Sequence, residues 1–246
     1  MWFLSTAGVP AAQVESARAV LSAEERARAD RFRAANDRRD YSMAHYLMRR
    51  CLSKDGPLEP AAWRFERGPA GKPFLAGEPG REIGLSHTRD LVACAIADRD
   101  IGLDVENLDA LPRQRASVER SFAPAEAAAF ARSRGAGRDL VFLELWTLKE
   151  AFLKAVGVGL DRPLDSFAFD LSRKGSIAFR PPPGVEARDW QFALFEPLPR
   201  TRLAVAAKAR APARLVVRRF APGSAVREPS PLGPLRTTRT VSAGAD

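Results

Sequence analysis

The order in which strand-like and helix-like segments follow one another constrains the fold of this chain most. Each half of the 246 residues combines short apolar strand segments with one or two helices. Neither half shows the regular strand–helix alternation that a doubly wound parallel sheet requires. We therefore predict an α+β fold, built from two similar lobes that meet near residue 100.

The individual segments are predicted from hydrophobic periodicity and turn residues. We expect Asp98 to Asp100 to form a tight hairpin connection between two strands. From Pro222 onward the chain is rich in Pro, Ser, Gly and Thr and has almost no large apolar residues, which predicts a disordered tail. The predicted units are an N-terminal lobe at 1–100, a C-terminal lobe at 101–222 and a tail at 223–246. Strands are predicted at 91–97, 101–106, 167–171, 176–180, 190–195, 203–208 and 215–220, and helices within 17–33 and at 41–52, 124–132 and 140–156.

The apolar runs, the N-terminal segment and the cysteines indicate in which cellular compartment the protein works. The longest apolar runs fall far short of the ~20 residues that cross a bilayer. The N-terminus lacks the charged and apolar regions of a signal peptide. Cys51 and Cys94 show no spacing typical of metal ligands. These features predict a soluble protein of the reducing cytoplasm, with no membrane partner.

The net charge of +9 rests on 33 arginines and 6 lysines. A basic surface can attract nucleic acid, anionic lipid, phosphorylated ligands or acidic proteins. The arginines are scattered, without a dense basic stretch or interleaved aromatic residues, so we expect no nucleic-acid partner. A solvated arginine-rich surface would explain the excess equally well. The lysines are more informative, because three of the six lie in the motifs described next.

Two carboxylates lie close together on the predicted strand 101–106. Alternate residues of a strand share a face, so Asp104 and Glu106 project to the same side, roughly 7 Å apart. Gly102 on that face leaves room for something to approach the backbone. Hard oxygen ligands of this kind suit Mg²⁺, which often also binds substrate phosphates. An exposed acidic strand face is the alternative interpretation, and the pair alone does not decide between the two.

The predicted helix 140–156 carries the other charged candidates. Glu150 and Lys154 lie one turn apart on one edge, where they could equally form an ordinary helix pair. Lys149 projects into the apolar arc that faces the core. A lysine there needs either a route to water or an anion to pair with. Gly157 is expected to end the helix.

Smaller motifs are weak on their own. Ser86 and His87 precede a predicted buried strand, and Lys72 and Pro73 lie in a Gly/Pro-rich loop. His45, in the middle of an apolar helix, is interpreted as structural. Each of these residues could belong to an ordinary turn or core.

Taken together, the motifs resemble the 4′-phosphopantetheinyl transferases, and the match is to the larger Sfp type. The strongest signature is GLDVE at 102–106, followed by WTLKEAFLK at 146–154. The resemblance covers roughly 22–169, and the supporting motifs occur in the order typical of the family. These are GKP at 71–73, LSHT at 85–88, FAPAE at 122–126, GVGL at 157–160 and PLDSF at 163–167.

The resemblance implies an active site between the lobes and transfer of the 4′-phosphopantetheine arm of coenzyme A to a serine of an apo acyl or peptidyl carrier protein. It implies Mg²⁺ as cofactor, release of 3′,5′-ADP and a monomeric enzyme. Glu150 would also take the proton from the carrier serine. The implied metal ligands are Asp104, Glu106 and Glu150, and the implied catalytic residues are Glu150 and Lys154. The implied substrate contacts are Lys72, Pro73, Ser86, His87, Lys149 and Lys154, of which Lys149 and Lys154 would neutralise phosphate oxygens.

Three positions depart from the family pattern. Asp40 precedes Tyr41 where a basic residue is common, and Glu25 replaces an expected cation. Ala123 precedes Pro124 where a capping Ser or Thr is expected. The cations that could compensate are Arg28, Arg31, Arg38 and Arg39.

Two rival functions remain to be weighed. One is a catalytically inactive coenzyme A- or nucleotide-binding protein, which should have lost an acidic ligand or the Lys149–Glu150 pair, and all of these are present. The other is a basic nucleic-acid-binding module, which would need a clustered basic face and stacking aromatics. The transferase interpretation is therefore favoured.

Overall fold

The computed structural model describes residues 1–68, 71–111, 119–159, 162–211, 215–221 and 232–238. The helices are α1 (Ala11–Arg18), α2 (Ala23–Asp30), α3 (Ala35–Asp55), α4 (Pro124–Arg132) and α5 (Gly135–Val156). The strands are β1 (Trp2–Ser5), β2 (Phe65–Arg67), β3 (Pro73–Leu75), β4 (Glu82–Thr88), β5 (Leu91–Ala97), β6 (Ile101–Asn107), β7 (Ala168–Asp170), β8 (Ser176–Arg180), β9 (Trp190–Phe195), β10 (Thr201–Lys208), β11 (Arg218–Arg219) and β12 (Arg236–Thr238). No helix among these residues combines the length and the apolar character needed to span a bilayer.

The strands form two main sheets, and the predicted α+β fold is confirmed. The first sheet has the order β11–β1–β5–β4, and the second has the order β6–β10–β9–β12–β8–β7. Strands β2 and β3 form a separate two-stranded ribbon. Helix α3 packs on β4 and β5 of the first sheet, and α5 packs on β6 and β10 of the second. Each sheet therefore carries one long helix, and β4 of one sheet lies against β6 of the other.

The predicted hairpin at Asp98 to Asp100 is wrong. Strands β5 and β6 do not pair, because β5 lies between β1 and β4 while β6 pairs with β10. Their apolar side chains instead meet face to face in a core that lies between the two sheets. The short segment 98–100 therefore carries the chain from one sheet to the other. The strands contribute to this core through Leu91, Ala93, Ala95, Ile101, Leu103 and Val105.

Gly102 is required where α5 crosses β6. A Cβ atom on Gly102 would lie 2.1 Å from the Ala151 carbonyl oxygen and 2.3 Å from the Ala155 amide nitrogen. We expected this glycine to make room near the backbone, and the structure shows that the space is filled by helix α5 itself. The close approach brings the helix that carries Glu150 onto the strand that carries Asp104.

The end of α5 is as the sequence predicts. Gly157 adopts a left-handed conformation with φ of 74°, and its N–H bonds to the Leu153 carbonyl at 2.9 Å. A residue with a side chain is strained at such a φ, which explains the glycine. Leu160, the last residue of the GVGL motif, lies outside the described residues.

The predicted disordered tail is wrong for 232–238. Strand β12 lies inside the second sheet, antiparallel to β9 and parallel to β8. The Thr237 N–H bonds to the Gly175 carbonyl at 3.2 Å, and Arg236 donates to the Leu171 carbonyl at 2.8 Å and pairs with Glu144 at 3.3 Å. Backbone pairing holds this strand although its side chains are mostly polar. Residues 222–231 and 239–246 lie outside the described part of the chain.

Ending the chain at Gly223 should therefore lower its melting temperature. The truncation removes several hydrogen bonds worth about 1 kcal/mol each, and each kcal/mol shifts Tm by about 2–4 °C in a chain of this size. Thermal unfolding of the truncated and full chains measures the effect. Thr237→Pro should act in the same direction because proline removes the ladder N–H, whereas Thr237→Val serves as the matched control. Unchanged melting of both the truncated chain and the proline variant would contradict a structural role for β12.

Candidate active site

A cleft of about 970 Å³ lies where the first sheet, α2, α3 and α5 meet. Its lining includes Gly102, Glu150 and Lys154, together with Arg28 of α2 and His45 of α3. The volume is within the range of ligand pockets of ~300–1,000 Å³. The cleft therefore has room for an extended ligand that reaches Glu150.

Asp104 is at the centre of the buried charges behind this cleft. Its Oδ1 accepts hydrogen bonds from Ser86 Oγ at 2.9 Å and from Lys154 Nζ at 2.5 Å. Its Oδ2 is buried and has no hydrogen-bond partner within the described part of the chain. An orphaned carboxylate oxygen is costly unless a donor or a cation reaches it.

Glu106 and Glu150 share the low-dielectric surroundings of Asp104. Burial and the charge of Asp104 raise the pKa of Glu106 to about 8, although Trp146 Nε1 donates to Glu106 Oε1 at 3.0 Å. The same two causes raise the pKa of Glu150 to about 7, while Lys154 opposes them. Burial alone would lower the pKa of Lys154, but the neighbouring carboxylates raise it. The cluster therefore holds more negative charge than Lys154 compensates.

This donor set fits a divalent cation. Raised carboxylate pKa values and an orphaned Asp104 oxygen both indicate unneutralised negative charge, and hard oxygen donors are the ligands that Mg²⁺ prefers. In the ranges that the structure describes, no three His, Cys, Asp or Glu side chains converge as a preformed metal cage. Lys154 Nζ instead covers Asp104 at 2.5 Å. An ion bound by Asp104 would therefore compete with the lysine for the carboxylate.

The structure does not bring Lys149 to the cleft, which corrects its predicted role as a phosphate contact. Its side chain is 0% exposed, and Nζ lies 2.9 Å from Glu126 Oε2. The same ammonium donates to the carbonyls of Leu164 at 2.7 Å and Phe167 at 2.8 Å. All three N–H donors are therefore occupied inside the protein. Lys154, five residues farther along α5, is 38% exposed and lines the cleft.

Glu126 completes this buried pair and replaces the missing helix cap. Its Oε2 accepts from the Ala123 N–H at 3.0 Å, and its Oε1 accepts from the Phe169 N–H at 2.9 Å. Burial raises the pKa of Glu126 and lowers that of Lys149, and their mutual attraction opposes both shifts. The start of α4 is thus held by a carboxylate from inside the helix, although Ala123 cannot cap it.

The remaining predicted substrate contacts are distributed along the cleft. Lys72, Pro73 and His87 line it, and Ser86 lies behind it against Asp104. Lys72 Nζ is 2.8 Å from Glu82 Oε2 and donates to the Ala155 carbonyl at 3.2 Å, so it bridges the two halves of the chain. Desolvation by the cleft walls lowers the pKa of His87, and the charge of Asp40 opposes this effect.

Asp40, which departs from the family pattern, and Arg38 beside it form hydrogen bonds within the protein. Asp40 accepts from Thr6 Oγ1 at 2.5 Å, from the Asp90 N–H at 3.1 Å and from Arg39 Nε at 2.8 Å. Arg38 donates to the Phe32 carbonyl at 3.1 Å. Of the four arginines that could compensate, only Arg28 lines the cleft.

The sequence analysis missed the positions of two residues at this site. His45, interpreted as structural, lines the cleft. Trp146 donates to Glu106, and its place in the WTLKEAFLK motif, forty residues after that carboxylate, gave no signal of the contact.

Two family models match this chain. A family model described as the 4′-phosphopantetheinyl transferase superfamily matches residues 100–208. A second model, described as the N-terminal part of 4′-phosphopantetheinyl transferase, matches residues 10–98. The two matches together include the long helices α3 and α5 and the strands β4, β5, β6, β9 and β10.

Three relatives agree with the family models. A 4′-phosphopantetheinyl transferase of Bacillus subtilis is 31% identical over 168 residues, which cover 68% of this chain and 74% of the relative. The transferase Sfp of Bacillus subtilis is 30% identical over 176 residues, covering 70% and 77%. A phosphopantetheinyl transferase of Thraustochytrium is 33% identical over 208 residues, covering 78% and 71%. The chain therefore belongs to the 4′-phosphopantetheinyl transferase superfamily and is an enzyme of its Sfp type.

Proposed function

We propose that this enzyme takes the 4′-phosphopantetheine arm from coenzyme A and transfers it to a serine of an apo acyl or peptidyl carrier protein, with Mg²⁺ and release of 3′,5′-ADP. The observation that carries the proposal is the cluster of Asp104, Glu106, Glu150 and Lys154, in which Glu150 and Lys154 line a cleft of about 970 Å³. Phosphoryl transfer depends mostly on positioning and on charge stabilisation. A cluster of acids with one lysine beside a cleft supplies both.

The metal would be held by Asp104, Glu106 and Glu150. When bound, Mg²⁺ supplies positive charge that stabilises pyrophosphate oxygens. Lys154 faces the same space and would neutralise phosphate oxygens that approach Glu150. Ser86 holds Asp104 through the 2.9 Å hydrogen bond, so we assign it a positioning role beside its predicted substrate contact.

Glu150 would accept the proton of the carrier serine. Burial and the charge of Asp104 raise its pKa to about 7 in the metal-free protein, and a bound Mg²⁺ would lower the pKa again and keep the carboxylate ionised, ready to accept a proton. Glu150 also lines the cleft, whereas Asp104 lies behind it. Of the three acids, Glu150 is therefore the one that an incoming hydroxyl group can reach.

The two parts of the chain would divide these tasks. We propose that residues 1–100 form the lobe that binds coenzyme A, through Lys72, Pro73 and His87, and that 101–222 form the lobe with the metal and catalytic motifs. We also propose, from the resemblance to the Sfp type, that the enzyme is monomeric. The free cysteines Cys51 and Cys94 support a location in the reducing cytoplasm.

Mass measurement of carrier proteins tests the proposed function. The enzyme is incubated with coenzyme A, Mg²⁺ and a panel of apo acyl and peptidyl carriers, and the carriers are then weighed. We expect at least one carrier to gain the mass of one phosphopantetheine group, and a chelator should abolish the gain. The matched control is a carrier whose acceptor serine is replaced by alanine. Binding of coenzyme A without modification of any carrier would favour a catalytically inactive binding protein.

A further inference from the structure

The ammonium group of Lys154 lies on the carboxylate at the centre of the acidic cluster. Its Nζ is 2.5 Å from Asp104 Oδ1 and 3.3 Å from Ser86 Oγ. The second oxygen of the same carboxylate, Oδ2, is buried and accepts no hydrogen bond within the described part of the chain. Asp104 itself is only 3% exposed, so water does little to screen its charge. In the metal-free protein, a side chain of the enzyme therefore supplies the positive charge that Asp104 needs.

A divalent ion and this ammonium group cannot both bind Asp104 without a cost. The two oxygens of one carboxylate are close neighbours, so an ion on Oδ2 would lie within a few ångströms of the ammonium on Oδ1. Like charges at such a distance repel one another strongly where the dielectric constant is low. Glu150, another of the proposed ligands, lies one turn before Lys154 on α5 and feels the same charge. Tight binding of Mg²⁺ therefore requires that the ammonium first moves away from Asp104.

Lys154 can make this movement, whereas Lys149 cannot. The side chain of Lys154 is 38% exposed and lines the cleft. Among the described residues its hydrogen bonds go only to Asp104 and Ser86, which leaves one of the three ammonium donors for a ligand. Lys149, by contrast, is 0% exposed and has all three donors occupied inside the protein. Rotation of its flexible stem takes the Lys154 ammonium into the cleft when an anion there replaces Asp104 as its partner.

We propose that Lys154 is a resident cation, a side chain that takes the place of the metal at Asp104 until coenzyme A arrives and that couples the binding of coenzyme A to the binding of Mg²⁺. The proposal rests on the proposed function, because it assumes that the phosphates of coenzyme A enter the cleft. A phosphate oxygen accepts the ammonium, Asp104 loses its partner, and the metal ion binds there instead. Each ligand then strengthens the binding of the other, since the two affinities are thermodynamically linked. The enzyme therefore holds Mg²⁺ weakly on its own and takes it up together with its substrate.

Calorimetric titration with Mg²⁺ alone, in the absence of coenzyme A, tests the competition at Asp104. The titration is made at about pH 9, because burial and the charge of Asp104 raise the pKa of Glu106 to about 8 and that of Glu150 to about 7, so both are ionised there. Burial acts to lower the pKa of Lys154, but the carboxylates around it raise the pKa, so the ammonium keeps its proton. Lys154→Met should bind Mg²⁺ about tenfold more tightly than the unaltered enzyme. This is near the lower end of the worth of a charge-assisted hydrogen bond, because the ammonium is partly exposed.

Two further variants show whether the charge of Lys154 is responsible. Lys154→Gln can still donate to Asp104 but carries no charge, so it should bind Mg²⁺ as tightly as Lys154→Met does. Lys174→Met, which removes an exposed lysine outside the cleft, is the matched control and should leave the affinity unchanged. Unchanged or weaker Mg²⁺ binding in both Lys154 variants would overturn the competition.

The same titration in saturating coenzyme A tests the coupling. The ratio of the two Mg²⁺ affinities gives the factor by which coenzyme A strengthens metal binding. This factor should be about tenfold smaller in Lys154→Met than in the unaltered enzyme and in Lys174→Met, because the variant has no ammonium to release. An equal factor in all three proteins would show that only the pyrophosphate of coenzyme A attracts the metal, and the exchange would be rejected. If the unaltered enzyme does not bind coenzyme A, the proposed function fails, while the titration with Mg²⁺ alone still decides whether Lys154 competes with the ion.

Discussion

Replacing Glu150 with glutamine should slow transfer by about a hundred- to ten-thousandfold, the usual size of a general-base contribution. Glutamine keeps the shape of the side chain and one ligating oxygen, but it cannot accept the proton of the carrier serine. Coenzyme A should still bind, because the amide adds no bulk to the cleft. Single-turnover rates of carrier modification measure the loss of rate, and the affinity for coenzyme A, measured in parallel, shows whether binding is kept.

Asp104→Ala provides the contrast for Glu150→Gln. In our interpretation Asp104 has a metal role and no proton to accept, and it lies behind the cleft against Ser86 and Lys154. Its replacement should weaken Mg²⁺ binding, and a high Mg²⁺ concentration should restore part of the rate. The rate of Glu150→Gln should stay low at any Mg²⁺ concentration. Full recovery of Glu150→Gln would mean that Glu150 is only a ligand and that another group is the base.

Lys149→Ala should lower the free energy of unfolding by about 3–5 kcal/mol, the cost of leaving one member of a buried ion pair without its partner. Glu126 would then remain in an apolar core with its Oε2 facing the space that the ammonium occupied. The carbonyls of Leu164 and Phe167 would also lose their donor. Denaturant unfolding of the variant, followed by fluorescence of the buried tryptophans, measures the loss.

Two further variants distinguish a structural from a substrate-binding lysine. Lys154→Ala is the comparison for activity: this lysine lies five residues farther along the same helix, lines the cleft and is 38% exposed, so its loss should lower the rate of transfer. The double variant Glu126→Leu with Lys149→Met should regain much of the stability, because apolar residues of similar size can replace a buried pair. If Lys149→Ala kept full stability but lost affinity for coenzyme A, the phosphate role that the family pattern implies would be restored.

Lys149 shows what the sequence can and cannot predict about the contacts of a buried charge. Helical periodicity placed it in the apolar arc of α5 and required either a route to water or an anion. The structure supplies the anion, Glu126, from a position 23 residues earlier in the chain. No local pattern connects the two, since their meeting depends on how α4 packs against α5. The resemblance to the family implied a substrate phosphate as the partner of Lys149. The motif alone does not show which of its lysines faces the cleft and which faces the core.

The rest of the fold was predicted unevenly for the same reason. Strands with strong apolar patterns, such as Ser176–Arg180 and Trp190–Phe195, were predicted with their observed bounds. The polar strand Arg236–Thr238 was missed because pairing with two neighbours, rather than side-chain burial, holds it. Asp98 to Asp100 looked like a hairpin because hydrophobic periodicity identifies strands but not the sheets to which they belong. The motif predicted that Asp104, Glu106, Glu150 and Lys154 lie close together, and the structure places them so, because the motif has a fixed spacing and order.

The path of the last described strands affects how the protein folds. After β10 in the second sheet, the chain returns to the first sheet, where β11 pairs with β1, and then enters the second sheet again as β12. The Phe220 N–H bonds to the Phe3 carbonyl at 2.7 Å, which joins the first strand of the protein to residues more than two hundred positions away. The first sheet is complete only when both β1 and β11 are in place, and the second only when β12 has been added. We therefore expect the two halves to fold as one cooperative unit, which is completed only after the last described strands have been synthesised.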